Sequence, residues 1–440
     1  MVGPTPHRSD RREFLRMLAT SPALPYLALS PTILHALGQE PDVNRGAFVE
    51  GPGTSDLISS PEEALTVFDF EAVAKEKLHY GHVAFLGGTE DEGTYRANRE
   101  GFKQYQLRVR RLVDIRKTDM SLSLLGTETH SPIVLCPCGA LSAFHPDGEV
   151  EVARGTNSYA QAANVTGHVM TLSNAASQTI EDVVAARGKP VWFQLYRDSD
   201  WNKTLAMIRR AEAAGSTVMA WTVDGQGGGK RIVQARARRL ERQFCGRCHT
   251  LNPDDQGLNS RGFRGSRINP NGKPMTTTAP LGPPSLDGRI VTWDYVKRLK
   301  DASTMKLLIK GIVTREDAEL AIEYGADGVW ISNHGGRMEN SLRSTVECVP
   351  EVAAGVAGRV PIVVDGGFRR GTDIFKALAL GATAVAVGRP YIFGLASFGQ
   401  AGVETVLDIL DSELRMVMRQ AGTTGVEKIS KDYVLDRARL

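Results

Sequence analysis

From about residue 130 onward, short apolar runs alternate with longer stretches of helical spacing. The runs are continuous rather than alternating, the pattern of strands buried on both faces. Eight stand out, at 132–137, 168–172, 191–195, 217–223, 306–310, 328–332, 361–364 and 383–387. The stretches between them carry helix punctuation. Thr314-Arg315-Glu316-Asp317 reads as a capping box, and Gly371-Thr372-Asp373 opens a further helix that Gly381 closes. Strand and helix in regular alternation build βαβ units, and eight in series predict a closed (β/α)8 TIM barrel. Residues 62–117 precede it as a helical and irregular extension. One connection breaks the rhythm: 225–290 is rich in Gly, Arg, Asn and Pro and far longer than a βα loop, which marks it as functional or mobile.

The N-terminus departs from this pattern. Ser9-Asp10-Arg11-Arg12-Glu13-Phe14-Leu15-Arg16 followed by a moderately apolar stretch reads as a twin-arginine export signal over residues 1–38. Pro22, Pro25 and Pro31 argue against a stable spanning helix there. No small-residue cleavage site stands out near Ala36, so a retained membrane anchor is the alternative to a cleaved signal. Residues 39–60 read as a linker, and 61–440 as the barrel. The predicted location is the periplasm or cell envelope. The chain's 440 residues are 42% hydrophobic, ample for such a core, and a net charge of +3 gives no reason to expect a nucleic-acid partner. Five cysteines are too few for a disulfide scaffold.

Chemistry in a barrel of parallel strands sits at the strands' C-terminal ends. Ser332-Asn333-His334-Gly335-Gly336-Arg337 leaves the sixth strand there. A histidine to take a proton and an arginine to hold a carboxylate suit oxidation of a small hydroxy acid, with two glycines for the turn between them. Asp224 ends the fourth strand and is placed to steady the protonated His334, with a helix cap as its alternative role. Tyr196 ends the third strand, where it either hydrogen-bonds a ligand or packs. Lys310 ends the fifth, in an apolar run that disfavours a solvated surface position. Asp365 to Gly371, with Gly367 and Arg369, follows the seventh strand, and Gly388-Arg389-Pro390 follows the eighth, the usual phosphate site of such barrels.

Taken together, residues 62–435 resemble the FMN-dependent α-hydroxy acid oxidases and dehydrogenases, which include glycolate oxidase, lactate oxidase and mandelate dehydrogenase. The resemblance rests on Gly88-Thr89-Glu90-Asp91, Pro137-Cys138-Gly139-Ala140, Thr171-Leu172-Ser173, Gln194-Leu195-Tyr196, Thr222-Val223-Asp224, Lys230-Arg231, Lys310-Gly311, Ser332 to Arg337, Asp365 to Gly371 and Gly388-Arg389-Pro390. It implies FMN as cofactor and oxidation of an (S)-2-hydroxy acid to the 2-oxo acid. By resemblance His334 is the base, Asp224 its partner, Arg231 and Arg337 the carboxylate clamp, and Tyr196 orients the substrate hydroxyl. Pro137, Cys138, Gly139, Ser173, Gln194, Thr222, Lys310, Ser332 and Asp365 fall to the flavin, and Gly367, Arg369, Gly388 and Arg389 to its phosphate. Two positions depart from the family. Ala84 stands where a tyrosine is usual and Ala175 where an aromatic residue is usual, and both changes open space for a bulky substrate. The runner-up readings are an FMN-barrel isomerase and a redox carrier on a degenerate barrel.

The long connection holds Cys245-Gly246-Arg247-Cys248-His249. This C-x-x-C-H spacing fits covalent haem c, with His249 on the iron and the two thiols as attachment points. A reversible Cys245–Cys248 disulfide and a metal half-site with His249 fit it too. The acceptor of the electrons is accordingly a carrier protein, a quinone or oxygen, and a homo-oligomer is expected. Cys136, Cys138 and Cys348 read as small buried or pocket-lining residues.

Overall fold

The structure is a computed structural model and describes residues 57–240 and 291–437. All eight expected strands form: β1 (Ile133–Leu135), β2 (Val169–Ser173), β3 (Trp192–Leu195), β4 (Val218–Thr222), β5 (Lys306–Ile312), β6 (Gly328–Ile331), β7 (Ile362–Asp365) and β8 (Ala384–Val387). They pair in parallel and in chain order, and β8 closes on β1. Side chains alternate between two layers, as strand geometry requires. Val134, Val169, Trp192, Val218, Ala220, Leu308, Trp330, Val363, Ala384 and Ala386 fill the barrel. Ile133, Met170, Phe193, Ile309, Val329 and Val364 point outward against the helices. Each such side chain contributes about 1.5–3 kcal/mol relative to exposure.

Strand ends differ from the apolar runs by one or two residues, and one difference matters. β5 continues past Lys310 to Ile312, with a register shift against β6 between those two residues. Gly311 at the shift has φ +115°, and a Cβ there would lie 2.9 Å from the Asp224 backbone nitrogen. Only glycine allows the end of β4 to approach so closely. That approach sets Asp224 beside the end of β5.

The N-terminal extension holds helices Val67–Lys77, Tyr80–Phe85 and Gly93–Glu100. A hairpin of Leu122–Leu124 with Thr127–Thr129, unmarked by the hydrophobic pattern, plugs the barrel at the strands' N-terminal end. Leu124 packs into the interior cluster, and Trp192 donates from Nε1 to Thr127 Oγ1 at 3.0 Å. Thr314 caps helix Arg315–Glu323 by accepting from the Asp317 amide, and Gly381, at φ +118°, ends helix Gly371–Leu380. The last long helix, Arg389–Ala421, breaks at Phe398 and Gly399. The long connection begins with helix Ile232–Leu240. Cys245, Cys248 and His249, the export signal and most of the linker lie outside the described residues.

Candidate active site

The loop after β6 is shaped by its backbone. Gly335 and Gly336 have φ of +66° and +73°, and a Cβ on Gly336 would meet the Tyr95 nitrogen at 2.5 Å. Gly336 therefore lets the loop lie directly on helix Gly93–Glu100. Asn333 and Asn98 seal the contact with two reciprocal amide hydrogen bonds of 2.9 Å. His334 itself holds a left-handed φ of 57°. For a residue with a Cβ such a conformation costs of order 1 kcal/mol or more, and persists only where the surroundings enforce it. Here the Ser332 hydroxyl accepts from the His334 amide at 3.0 Å, and the imidazole is held at both nitrogens.

Those two contacts define a line of polar groups. His334 Nδ1 meets Asp224 Oδ1 at 2.8 Å, and Nε2 meets the Tyr196 hydroxyl at 3.2 Å. Burial lowers the histidine's proton affinity below its ordinary value, and Asp224 recovers only part of the loss. Burial would raise Asp224, but the adjacent His334 holds its carboxyl below the usual range. Tyr196 is pushed up by burial and by the Asp224 charge, so it stays a neutral phenol. The result is an uncharged imidazole with a carboxylate behind it, the arrangement of a general base. Asp224 therefore pairs with His334 rather than capping a helix.

A second group forms beside it. Lys310 Nζ lies 2.7 Å from Ser332 Oγ and 3.1 Å from Asp365 Oδ2. Asp365 also accepts from Ser332 Oγ and from Trp330 Nε1, each at 2.9 Å. Burial alone would lower the ammonium; the Asp365 and Asp224 carboxylates outweigh it and hold Lys310 protonated well above its ordinary value.

The cations converge with less compensation. Arg337 donates from NH2 to the Phe85 carbonyl at 2.9 Å and lies 4.4 Å over the Phe85 ring. Its Nε is buried without a hydrogen-bond partner. Burial, then the neighbouring Arg231 and Arg389 guanidiniums, push Arg337 down to about 9. An anion brought to Arg337 and Arg231 would relieve both effects. Arg389 is fixed by the Leu86 carbonyl at 2.8 Å and the Gly335 carbonyl at 3.0 Å. Arg369 is 6% exposed, and burial pushes it down to about 10.

These groups line one cavity of about 440 Å³. Its wall includes Pro137, Cys138, Gly139, Ser173, Tyr196, Thr222, Arg231, Lys310, His334, Arg337, Asp365, Gly367, Arg369, Gly388 and Arg389. The cavity's groups suit a flavin mononucleotide. Thr222 Oγ1 is buried on the wall with no protein partner. Gln194, whose Oε1 accepts from Ser173 Oγ at 2.8 Å, has an unpartnered Nε2. At Gly388 an added Cβ would sit in ordinary contact with Cys138 Sγ at 3.5 Å and Cys136 Cβ at 3.6 Å. Gly367 and Arg369 after β7, with Gly388 and Arg389 after β8, line the cavity where they could hold its phosphate.

Three expected residues stand behind the wall rather than on it: Asp224, Gln194 and Ser332. Ser332 is 1% exposed and its hydroxyl serves Lys310, Asp365 and the His334 amide, so it orders its neighbours instead of facing the cavity. Of the two alanines, Ala175 lines the cavity; Ala84 is buried off it, and Phe85 forms that part of the wall. Phe85 and Met338 are lining residues that lie outside the quoted motifs. Cys136 and Cys348 are buried, as expected.

The comparisons with known proteins agree with this geometry. The model of the family "FMN-dependent dehydrogenase" matches residues 74–436. Glycolate oxidase 1 of Oryza sativa subsp. indica is 36% identical over 84% of this chain and 96% of that protein. A mandelate oxidase structure with (S)-2-phenylpropionate is 31% identical, with TM-score 0.69 over 83% of this chain and 96% of its own. A Pediococcus acidilactici protein assigned as a lactate oxidase is 32% identical, with TM-score 0.72 over 85% and 95%. The chain belongs to the FMN-dependent dehydrogenase family, the FMN-dependent 2-hydroxy acid oxidoreductases.

Proposed function

We propose that this chain oxidises an (S)-2-hydroxy acid with an aromatic or long aliphatic side chain to its 2-oxo acid. The observation that carries the reading is that Tyr196 and His334, the latter backed by Asp224, face the same cavity as Arg231 and Arg337. Arg231 and Arg337 bind the substrate carboxylate, which restores the charge balance their mutual repulsion disturbs. Tyr196 donates to the substrate hydroxyl and orients it toward His334. His334 Nε2 takes a proton, and Asp224 stabilises the imidazolium that forms. Bound FMN supplies the two-electron acceptor. Lys310, held protonated by Asp365, places a fixed positive charge in the cavity wall. Arg369, Gly388 and Arg389 hold the phosphate.

Ala175 supports the bulky substrate. It presents one methyl group to the cavity, where the related family pattern has an aromatic ring. An apolar side chain on the substrate would fill that space, and unfilled apolar volume weakens binding. The test is the visible spectrum of the purified yellow protein under anaerobic addition of glycolate, lactate and mandelate. Mandelate is expected to bleach it at the highest kcat/KM. Ala175→Trp should cut the mandelate value at least tenfold and spare glycolate, since one misfit contact of about 1.4 kcal/mol is a factor of ten. Preference of the wild-type protein for glycolate over every larger acid would overturn the reading.

The twin-arginine pattern at Arg11-Arg12 supports export of the folded holoprotein to the periplasm or envelope. Export would in turn bring Cys245, Cys248 and His249 to the compartment where haem c is attached. Fractionation of cells expressing the full chain, followed by a denaturing gel stained for haem, tests both. A stained band in the exported fraction that disappears in Cys248→Ser supports a haem acceptor and a dehydrogenase. An exported, unstained protein leaves a thiol pair there, and protein confined to the cytoplasm sinks the export reading.

A further inference from the structure

At the opposite pole from the cavity, four polar side chains meet in the core. His130 and His168 precede β1 and β2, Tyr159 lies on helix Gly148–Ala162, and Asp411 lies on helix Arg389–Ala421. Their side chains are nearly sealed, with His168 at 0%, Asp411 at 7% and His130 at 10% exposure. All converge on one oxygen. Asp411 Oδ2 lies 2.7 Å from His130 Nε2, 3.1 Å from His168 Nε2, and accepts from the Tyr159 hydroxyl at 2.5 Å. This crowding leaves polar atoms without hydrogen bonds: Asp411 Oδ1, His130 Nδ1 and His168 Nδ1. Buried polar atoms without a partner are costly, and native structures keep few of them.

We propose that His130, His168 and Asp411 bind a divalent transition metal, with zinc as the reference ion. The donor set of two imidazoles and one carboxylate suits zinc, and its candidate ligand atoms all lie within 4.8 Å of one another. A tetrahedral zinc site with bonds of about 2.0–2.1 Å spaces its ligands by about 3.3 Å. The observed 2.7 and 3.1 Å separations need to open by about 0.6 and 0.2 Å to reach that spacing. The metal takes one ring-nitrogen lone pair from each imidazole and one oxygen lone pair from the Asp411 carboxylate. Tyr159 remains hydrogen-bonded to the carboxylate or takes the fourth position. The site is structural: it ties the starts of β1 and β2 to the helix that closes the barrel, away from the catalytic end, where this fold keeps residues that serve stability.

The experiment uses full-length holoprotein, stripped with chelator and titrated with zinc chloride. One equivalent per chain retained after desalting, a melting temperature raised by several degrees and unchanged turnover are expected. Zinc X-ray absorption should show nitrogen and oxygen ligands and no sulfur. Asp411→Asn and His168→Gln should lose at least tenfold in zinc affinity, and Cys248→Ser should lose none. Sulfur ligation, or affinity lost only in Cys248→Ser, would move the metal to the C-x-x-C-H segment and overturn the proposal. Wild-type protein that retains no zinc and shows no thermal shift would overturn it without reference to any variant.

Discussion

Replacing His334 by alanine is expected to leave a yellow, FMN-loaded protein that its substrate no longer bleaches at a useful rate. Loss of a general base costs about 10²–10⁴-fold. Cofactor binding should survive, because Arg369 and Arg389 keep their hydrogen bonds to the Phe368 and Leu86 carbonyls. Stopped-flow reduction under anaerobic conditions measures the effect directly. The wild-type pH profile carries the same information. Only neutral His334 can accept a proton, and burial holds its pKa below the ordinary 6.5. The rate constant for reduction at low substrate should therefore rise with pH, level off below neutrality and fall again as Arg337 loses its proton near about 9. His334→Ala should lack that acidic limb. A variant reduced at near the wild-type rate would remove His334 from the reaction.

Much of the architecture is legible in the chain because parallel barrel strands are covered on both faces. Gly328 to Ile331 reads as a strand since none of its four residues meets solvent. The paired His334 and Arg337 are legible because a single loop carries both. What escapes the sequence is whatever depends on contacts across it. The plug hairpin has strands of three residues, too short to show a period. Ala84 and Phe85 are adjacent on a six-residue helix, and only packing decides which of them reaches the cavity. The motif places Ser332 among cofactor contacts, yet Lys310 and Asp365 claim its hydroxyl once β5, β6 and β7 are side by side. His130, His168 and Asp411 lie far apart in the sequence, with no shared spacing; the barrel's closure brings them together.

Asp224→Asn is expected to be nearly as damaging as loss of His334, for a reason that separates its role from that of a structural residue. The carboxylate does two things to the imidazole. It raises a proton affinity that burial has depressed, and it stabilises the charge that appears when the proton arrives. An amide of the same shape keeps a hydrogen bond to Nδ1 but supplies no charge. The maximum reduction rate should fall by about 10²–10⁴-fold while KM changes little, because Asp224 stands behind the cavity wall and does not touch the substrate. The acidic limb should also move. With the anion gone, burial and the Lys310 and Arg337 charges act unopposed, so the His334 pKa drops and the limb shifts to lower pH. A purely structural aspartate would instead, when replaced, loosen the loop, raise KM and leave the limb in place. The pH profile of anaerobic reduction in Asp224→Asn decides between them: a lower plateau with a limb displaced to the acid side supports the charge-stabilising role, and an unmoved limb excludes it.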